Sequence, residues 1–176
     1  MNRIRHNPRH NPNHNYNQKV LSVDRVARVV KGGRRFRFRA LVVLGDGKGL
    51  LGIGSAKGAD FTSAINKAAD VAKKSMKRVV LSGQATIPHD VTAKVGGAHI
   101  LLKPAKEGTG LIAGSVTRDI LEAAGYHNIY SKSLGNSNKT NLAYAVIRAL
   151  GELVPPEEWH LNRLKAAAAV AEGGKS

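Results

Sequence analysis

Arg35, Arg37 and Arg39 stand at alternate positions, a spacing that lines guanidinium groups along one face of a β-strand. A row of guanidinium groups grips phosphate oxygens through paired hydrogen bonds, so the chemistry on offer is recognition of a sugar-phosphate backbone. The intervening Phe36, Phe38, Ala40, Val42 and Leu44 are expected on the opposite, buried face. Just ahead, Lys31-Gly32-Gly33-Arg34 supplies the paired glycines of a tight turn, preceded by a second β-like segment from Val20 to Val30. The pattern predicts a basic hairpin finger in which Arg25, Arg28, Lys31, Gly32, Gly33, Arg34, Arg35, Arg37 and Arg39 meet nucleic acid. Lys57, at the entry to a helix, and Lys67, Lys74 and Arg78, clustered on one of its faces, extend the candidate contact.

Other chemistries are weaker. Gly47-Lys48-Gly49-Leu50-Leu51-Gly52 has the G-x-G-x-x-G spacing but leads into a strand, where no helix amides await a phosphate. Gly108-Thr109-Gly110-Leu111-Ile112-Ala113 fits G-x-G-x-x-A better, because a helix is expected from Ile112. The alternative function is therefore a phosphate- or nucleotide-binding enzyme built on the Gly108 to Gly114 loop. Against it, no acid closes the following strand and no G-x-x-x-x-G-K-[ST] loop occurs. His89-Asp90 are neighbours on an expected strand and so point to opposite faces, and no G-x-S-x-G elbow supplies a nucleophile. His99 and His127 lack local carboxylate partners and are read as packed or RNA-contacting. The chain has no cysteine, which excludes disulfides, thiolate zinc sites and a thiol nucleophile. No catalytic residue, metal site or cofactor is expected.

The elements that must position the finger are legible in outline. Of 176 residues, 28 are Lys or Arg and 12 are Asp or Glu, a net charge of +16 that implies a polyanionic partner. Residues 1–40 hold eleven of the cations against the single acid Asp24, so the first part should make most of the phosphate contact. No apolar run approaches the roughly 18 residues of a membrane span, and no signal-peptide core opens the chain, so a soluble, cytoplasmic protein is expected. The repeated His-Asn-Pro unit of residues 6–17 reads as a disordered tail over residues 1–18. Residues 19–82 read as a β-β-β-α domain, with Ile65, Ala69, Ala72 and Met76 of its helix lying on the sheet. Residues 83–154 read as an α/β domain with strands Thr86 to Val95, Ala98 to Lys103 and Asn128 to Ser133, and helices Ile112 to Ala124 and Lys139 to Leu153. Gly125 sits where a left-handed helix cap belongs, Pro155-Pro156 ends the last helix, and residues 155–176 form an extension with an alanine-rich run.

Several of these segments together resemble the small ribosomal subunit protein five family, bacterial type. The resemblance lies in Val30-Lys31-Gly32-Gly33-Arg34, Val43-Leu44-Gly45-Asp46-Gly47, Gly52-Ile53-Gly54 with Ala56-Lys57, Pro104 to Gly114, and Ala124-Gly125-Tyr126-His127-Asn128, in order, across residues 19–153. It implies an α+β fold: a first domain similar to double-stranded-RNA-binding folds, then an α/β domain with a left-handed βαβ crossover, similar to a domain of small-molecule kinases. It implies a structural, non-enzymatic constituent of the small ribosomal subunit that binds small-subunit rRNA at the back of the particle, where head meets body. Implied partners are small-subunit proteins four and eight, near the mRNA entry path, with a role in translational accuracy. Lys31, Gly32, Gly33 and Arg34 match the loop that reaches toward the head near the spectinomycin site, and Gly110 and Arg118 match the interface with protein four. Neither a membrane partner nor a homo-oligomer is expected, and the expected location is a cytoplasmic ribosome, with an organellar ribosome as the alternative. The His-Asn-Pro tail and the alanine-rich end lie outside the family pattern.

Overall fold

The computed structural model describes residues 16–83 and 85–159, so most of the His-Asn-Pro tail and the alanine-rich end lie outside the described residues. The fold is α+β, with two four-stranded sheets and three helices. The first sheet has the order β1-β2-β3-β4, all antiparallel, from β1 (Asn17–Val30), β2 (Gly33–Gly45), β3 (Leu50–Gly58) and β4 (Lys77–Arg78). β1 opens at Asn17, opposite Gly45, so the last two residues assigned by sequence to the tail belong to the sheet. β4 was not expected; its two residues pair with Leu50 and Leu51 and close the sheet beyond α1 (Phe61–Lys74).

Helix α1 lies on β3 because both surfaces are small. Ala64, Ala68 and Ala72 are fully buried, and a Cβ at Gly54 or Gly52 would stand 2.0 Å from Ala68 O or 2.3 Å from Ala72 O. Ala69 and Ala72 face the sheet as expected, but Ile65 is only half-buried and Met76 lies past the end of the helix. Close approach between backbones replaces the interdigitation of large side chains, so the wider residues are displaced to the margin.

The second sheet has the order β5-β6-β8-β7, from β5 (Val91–Val95), β6 (Ala98–Pro104), β7 (Leu111–Ile112) and β8 (Ile129–Ser133). The β5-β6 and β6-β8 pairs are antiparallel, and β7 runs parallel to β8 with α2 (Ser115–Ala124) as the crossover. Thr86 to Asp90 are not part of β5, and α2 begins at Ser115, three residues after the expected start. α3 (Lys139–Gly151) starts at the expected residue, where the Asn138 side chain accepts a hydrogen bond from Thr140 N at 3.1 Å, and it ends two residues early. A single 3-10 turn at Pro156–Glu158 follows.

One core runs through both sheets. β2 buries both of its faces: Ala40, Val42 and Leu44 pack under α1, whereas Leu41 and Val43 join Leu51 and Ile53 against Ile120, Leu121, Ala123 and Ala124 of α2. The junction is also hydrogen-bonded. The β2-β3 turn donates from Gly47 N and Gly49 N to Ala123 O and Ala124 O at 3.1 and 3.0 Å, satisfying carbonyls left open at the end of α2. Within that turn the Asp46 carboxylate accepts from Lys48 N and Leu50 N at 2.7 and 2.9 Å. Buried Tyr126 donates its hydroxyl proton to Val80 O at 2.7 Å, and burial raises its pKa well above the usual phenol range. Lys19 of β1 bridges to Asp119, at 3.4 Å, and to Glu122, both on α2. Its hydrogen bond to Glu122 raises the ammonium pKa above the ordinary 10.5.

Candidate nucleic-acid interface

β3 ends at Gly58, opposite Phe38, so from Arg37 outward β2 has only β1 beside it and the pair projects as a two-stranded finger. The face of β2 that carries Leu41 and Val43 into the core carries Arg39, Arg37 and Arg35 beyond it. Register adds Arg28 of β1, opposite Arg35, and Lys57 of β3, opposite Arg39, to the same face. Arg28, Arg35, Arg37 and Lys57, with Val26, Ala27 and Val30, line an open groove of about 460 Å³. Arg39 is held by Asp24, opposite it, at 2.8 Å. The other four cations are exposed and have no carboxylate partner among the described residues. Four like charges without counter-charge repel one another, and a polyanion laid across the groove relieves that repulsion.

The other candidates divide between the opposite side and the tip. Arg25 sits opposite Phe38, on the α1 side of the finger, with its guanidinium 3.8 Å from the centre of the Phe36 ring. Phe36 was expected to be buried but is 47% exposed, because it lies beyond the last residue of β3; Phe38, at the margin, packs partly under α1. Lys67 and Lys74 are exposed on α1 and Arg78 on β4, so Arg78 does not share the helix face expected for it. At the tip, Lys31 and Gly32 form the turn, and Arg34 lies opposite Val29. Of the paired glycines of the turn, only Gly33 has a left-handed φ, +140°; Gly32 has no positive φ and open space where a Cβ would stand, so the turn's geometry requires glycine at Gly33 alone.

Gly110 stands before β7 with φ +78°, its N–H donating to the Asn128 side chain at 3.1 Å and its carbonyl accepting from Ile129 N at 3.3 Å. Arg118 is exposed in the first turn of α2, on the layer covering the inner face of the second sheet. The alternative phosphate loop does not assemble. Leu111 and Ile112 form β7, and α2 starts after Gly114, so Gly108 and Gly110 do not open onto helix amides. His89 has a structural use: its Nε2 accepts Val154 N–H at 3.1 Å and its Nδ1 bonds Asp90 O at 2.9 Å.

A feature invisible to motif reading lies at the base of the finger. Ser22, Asp24 and Arg39 face Asn136 to Thr140 across a polar cleft, bringing Lys139 close to the cationic finger. Its two walls are more than 90 residues apart in the chain, and no local spacing signals the meeting.

The fold and site define a two-sheet α+β protein with an exposed basic finger, in which Gly110 and His89 serve backbone contacts. Residues 16–80 match the family described as "Ribosomal protein S5, N-terminal domain", and residues 93–163 match "Ribosomal protein S5, C-terminal domain". Two proteins named "Small ribosomal subunit protein uS5", from Dehalococcoides mccartyi strains 195 and CBDB1, are each 44% identical over 158 residues, covering 90% of this chain and 91% of theirs. The chain belongs to the ribosomal protein S5 family, structural non-enzymes of the small ribosomal subunit, and the enzyme alternative is set aside.

Proposed function

We propose that the chain binds small-subunit rRNA chiefly through the groove face of the finger, with Arg28, Arg35, Arg37, Arg39 and Lys57 on phosphates and Lys31 and Arg34 reaching outward at the tip. The observation that carries this reading is the set of four exposed cations, without a carboxylate partner among the described residues, gathered where β1 and β2 run out beside the end of β3. Arg25, Lys67, Lys74 and Arg78 make a second contact on other sides of the same sheet-and-helix unit. The proposed units are residues 19–82, a double-stranded-RNA-binding-like domain, and residues 83–154, whose β7-α2-β8 crossover is left-handed. From the family resemblance, the protein sits at the back of the small subunit in the cytoplasm, near the mRNA entry path. There it holds head against body, contacts proteins four and eight, and contributes to accuracy with Gly110 and Arg118 at the protein-four interface.

The test is sedimentation of the tagged full-length chain from cell lysate, combined with binding of the purified chain to small-subunit rRNA. The expected result is co-migration with small subunits, and rRNA affinity that collapses when Arg28, Arg35, Arg37 and Lys57 are changed to Gln. Absence from the subunit fractions, or undiminished affinity in that variant, rejects the reading.

A further inference from the structure

Leu153, just past α3, is buried in the main core, and so is Ile87, two residues before His89. Beyond these anchors the two segments meet: Val154 N–H donates to His89 Nε2 at 3.1 Å, and His89 Nδ1 stands 2.9 Å from Asp90 O. Among the described residues, the Val154 bond is the one hydrogen bond that ties residues 154–159 to the rest of the fold. The others made there stay within the segment. Glu158 N–H donates to Pro155 O at 3.0 Å, and Trp159 Nε1–H donates to Val154 O at 3.2 Å. The Trp159 ring is tilted by 59° to the imidazole with centroids 6.3 Å apart, so one histidine meets both the backbone and the aromatic side chain at the root of the C-terminal extension.

The two neighbours of the imidazole leave it one protonation state. A backbone N–H can only donate, so Nε2 keeps its lone pair; a carbonyl can only accept, so Nδ1 carries the proton. That is the neutral ring. A second proton must enter at Nε2, where it sets N–H against the Val154 N–H and removes the acceptor that holds it. No carboxylate pairs with either ring nitrogen in its place. Asp90 is held by Lys103 at 3.3 Å, Glu152 by Arg148 at 3.0 Å, and Glu158 makes no ion pair among the described residues.

We propose that His89 is a proton-operated latch on residues 154–159: neutral, it holds the segment on the body, and protonated at Nε2, it releases it. Imidazole is the side chain whose charge ordinarily changes between about pH 5 and 8, so the latch is closed above that range and opens as pH falls through it. Leu153 stays in the core in both states, and opening moves only the chain beyond it. The latch belongs to the free chain and is independent of rRNA binding.

Trp159 is the single tryptophan of the chain, so its fluorescence reports on this segment alone. The test follows acrylamide quenching of the full-length protein at constant salt from about pH 8 to pH 5, alongside ¹⁵N NMR of the His89 ring. Trp159 is 45% exposed in the closed form, so its quenching constant should rise about twofold on opening, with the same midpoint as the His89 titration. At the upper end the ring should show the Nδ1–H tautomer. His89→Gln carries no group that titrates in this range and should show no pH dependence, whereas His99→Gln and His127→Gln should keep it. An Nε2–H tautomer, flat quenching in the parent, an unchanged transition in His89→Gln, or a rise that coincides with loss of the helical circular dichroism signal overturns the proposal.

Discussion

Gly45 and Gly125 are glycines because another backbone occupies the space of a side chain. A Cβ at Gly45 would stand 1.9 Å from Ala123 O, and one at Gly125 would stand 2.1 Å from Gly47 O. Gly125 also holds φ +94°, the left-handed conformation that ends α2. Either glycine changed to alanine must push the β2-β3 turn off the end of α2, where it donates two hydrogen bonds. We expect a loss of about 3 kcal/mol or more for each, read as a lower urea midpoint or melting temperature. A melt within about 1 °C of the parent would contradict the packing described at the junction. Tyr126→Phe keeps the ring and strands one buried carbonyl, that of Val80, so its cost is expected near 1 kcal/mol in the same melt. Gly125 was legible in the sequence as a helix cap, since that role depends on its immediate neighbours. Its second role, admitting Gly47, was not, because the partner arrives from a turn belonging to the other sheet.

Among the elements, β2 shows most clearly what sequence alternation conveys and what it leaves out. Arg35, Arg37 and Arg39 fall on one face as their spacing requires, and Ala40, Val42 and Leu44 fall under α1. Alternation within a strand cannot say where a neighbouring element stops, so it missed both the exposure of Phe36 and the burial of Leu41 and Val43 against α2. Helix α2 was anticipated three residues early for a related reason: Leu111 and Ile112 suit a helix, but parallel pairing with Ile129 and Tyr130 outweighs that propensity. The Lys19 bridge from β1 to α2 gives a pH-dependent prediction. Its folded pKa is raised above the ordinary 10.5, so its stabilisation is complete below that value and is lost as pH rises through the folded pKa. At 36% side-chain exposure, water screens the pair, and Lys19→Met is expected to cost only about 0.5–1 kcal/mol near pH 8. The gap between the two proteins' urea midpoints should close as pH rises through the raised folded pKa of Lys19; a gap that widens there would show that the bridge is not the cause. At the finger tip, Gly32→Asp adds one negative charge without backbone strain, because φ at Gly32 is not positive and nothing crowds its Cβ position. It should melt with the parent, yet alter subunit assembly and spectinomycin sensitivity in cells relying on it; unchanged assembly and sensitivity would remove the tip from the head contact.

For the whole molecule, the decisive quantity is how the +16 charge is spread over the fold. The two apolar interfaces of β2 use up the inner half of the first sheet, and the basic residues concentrate where that sheet runs free of α1 and α2. Binding driven by phosphate neutralisation releases counterions, so its strength falls steeply with salt, in proportion to the number of phosphates contacted. With roughly six to ten contacts, affinity for small-subunit rRNA should drop by about 10³ to 10⁵ between 50 and 200 mM salt, somewhat less if the contacts lie on single strands. The groove face and the helix side contribute separately to that slope, which lets mutation tell them apart. Changing Arg28, Arg35, Arg37 and Lys57 together to Gln should flatten the log-log salt slope by about three units, whereas Lys67 and Lys74 to Gln should change it by at most about 1.5. All six side chains are exposed, so folding is not the variable. The measurement is rRNA binding by the full-length chain across a salt series, with thermal melting as the control. A larger flattening from the helix pair than from the groove set would move the principal RNA contact to the α1 side, and a binding constant flat in salt would reject phosphate neutralisation as its driving force.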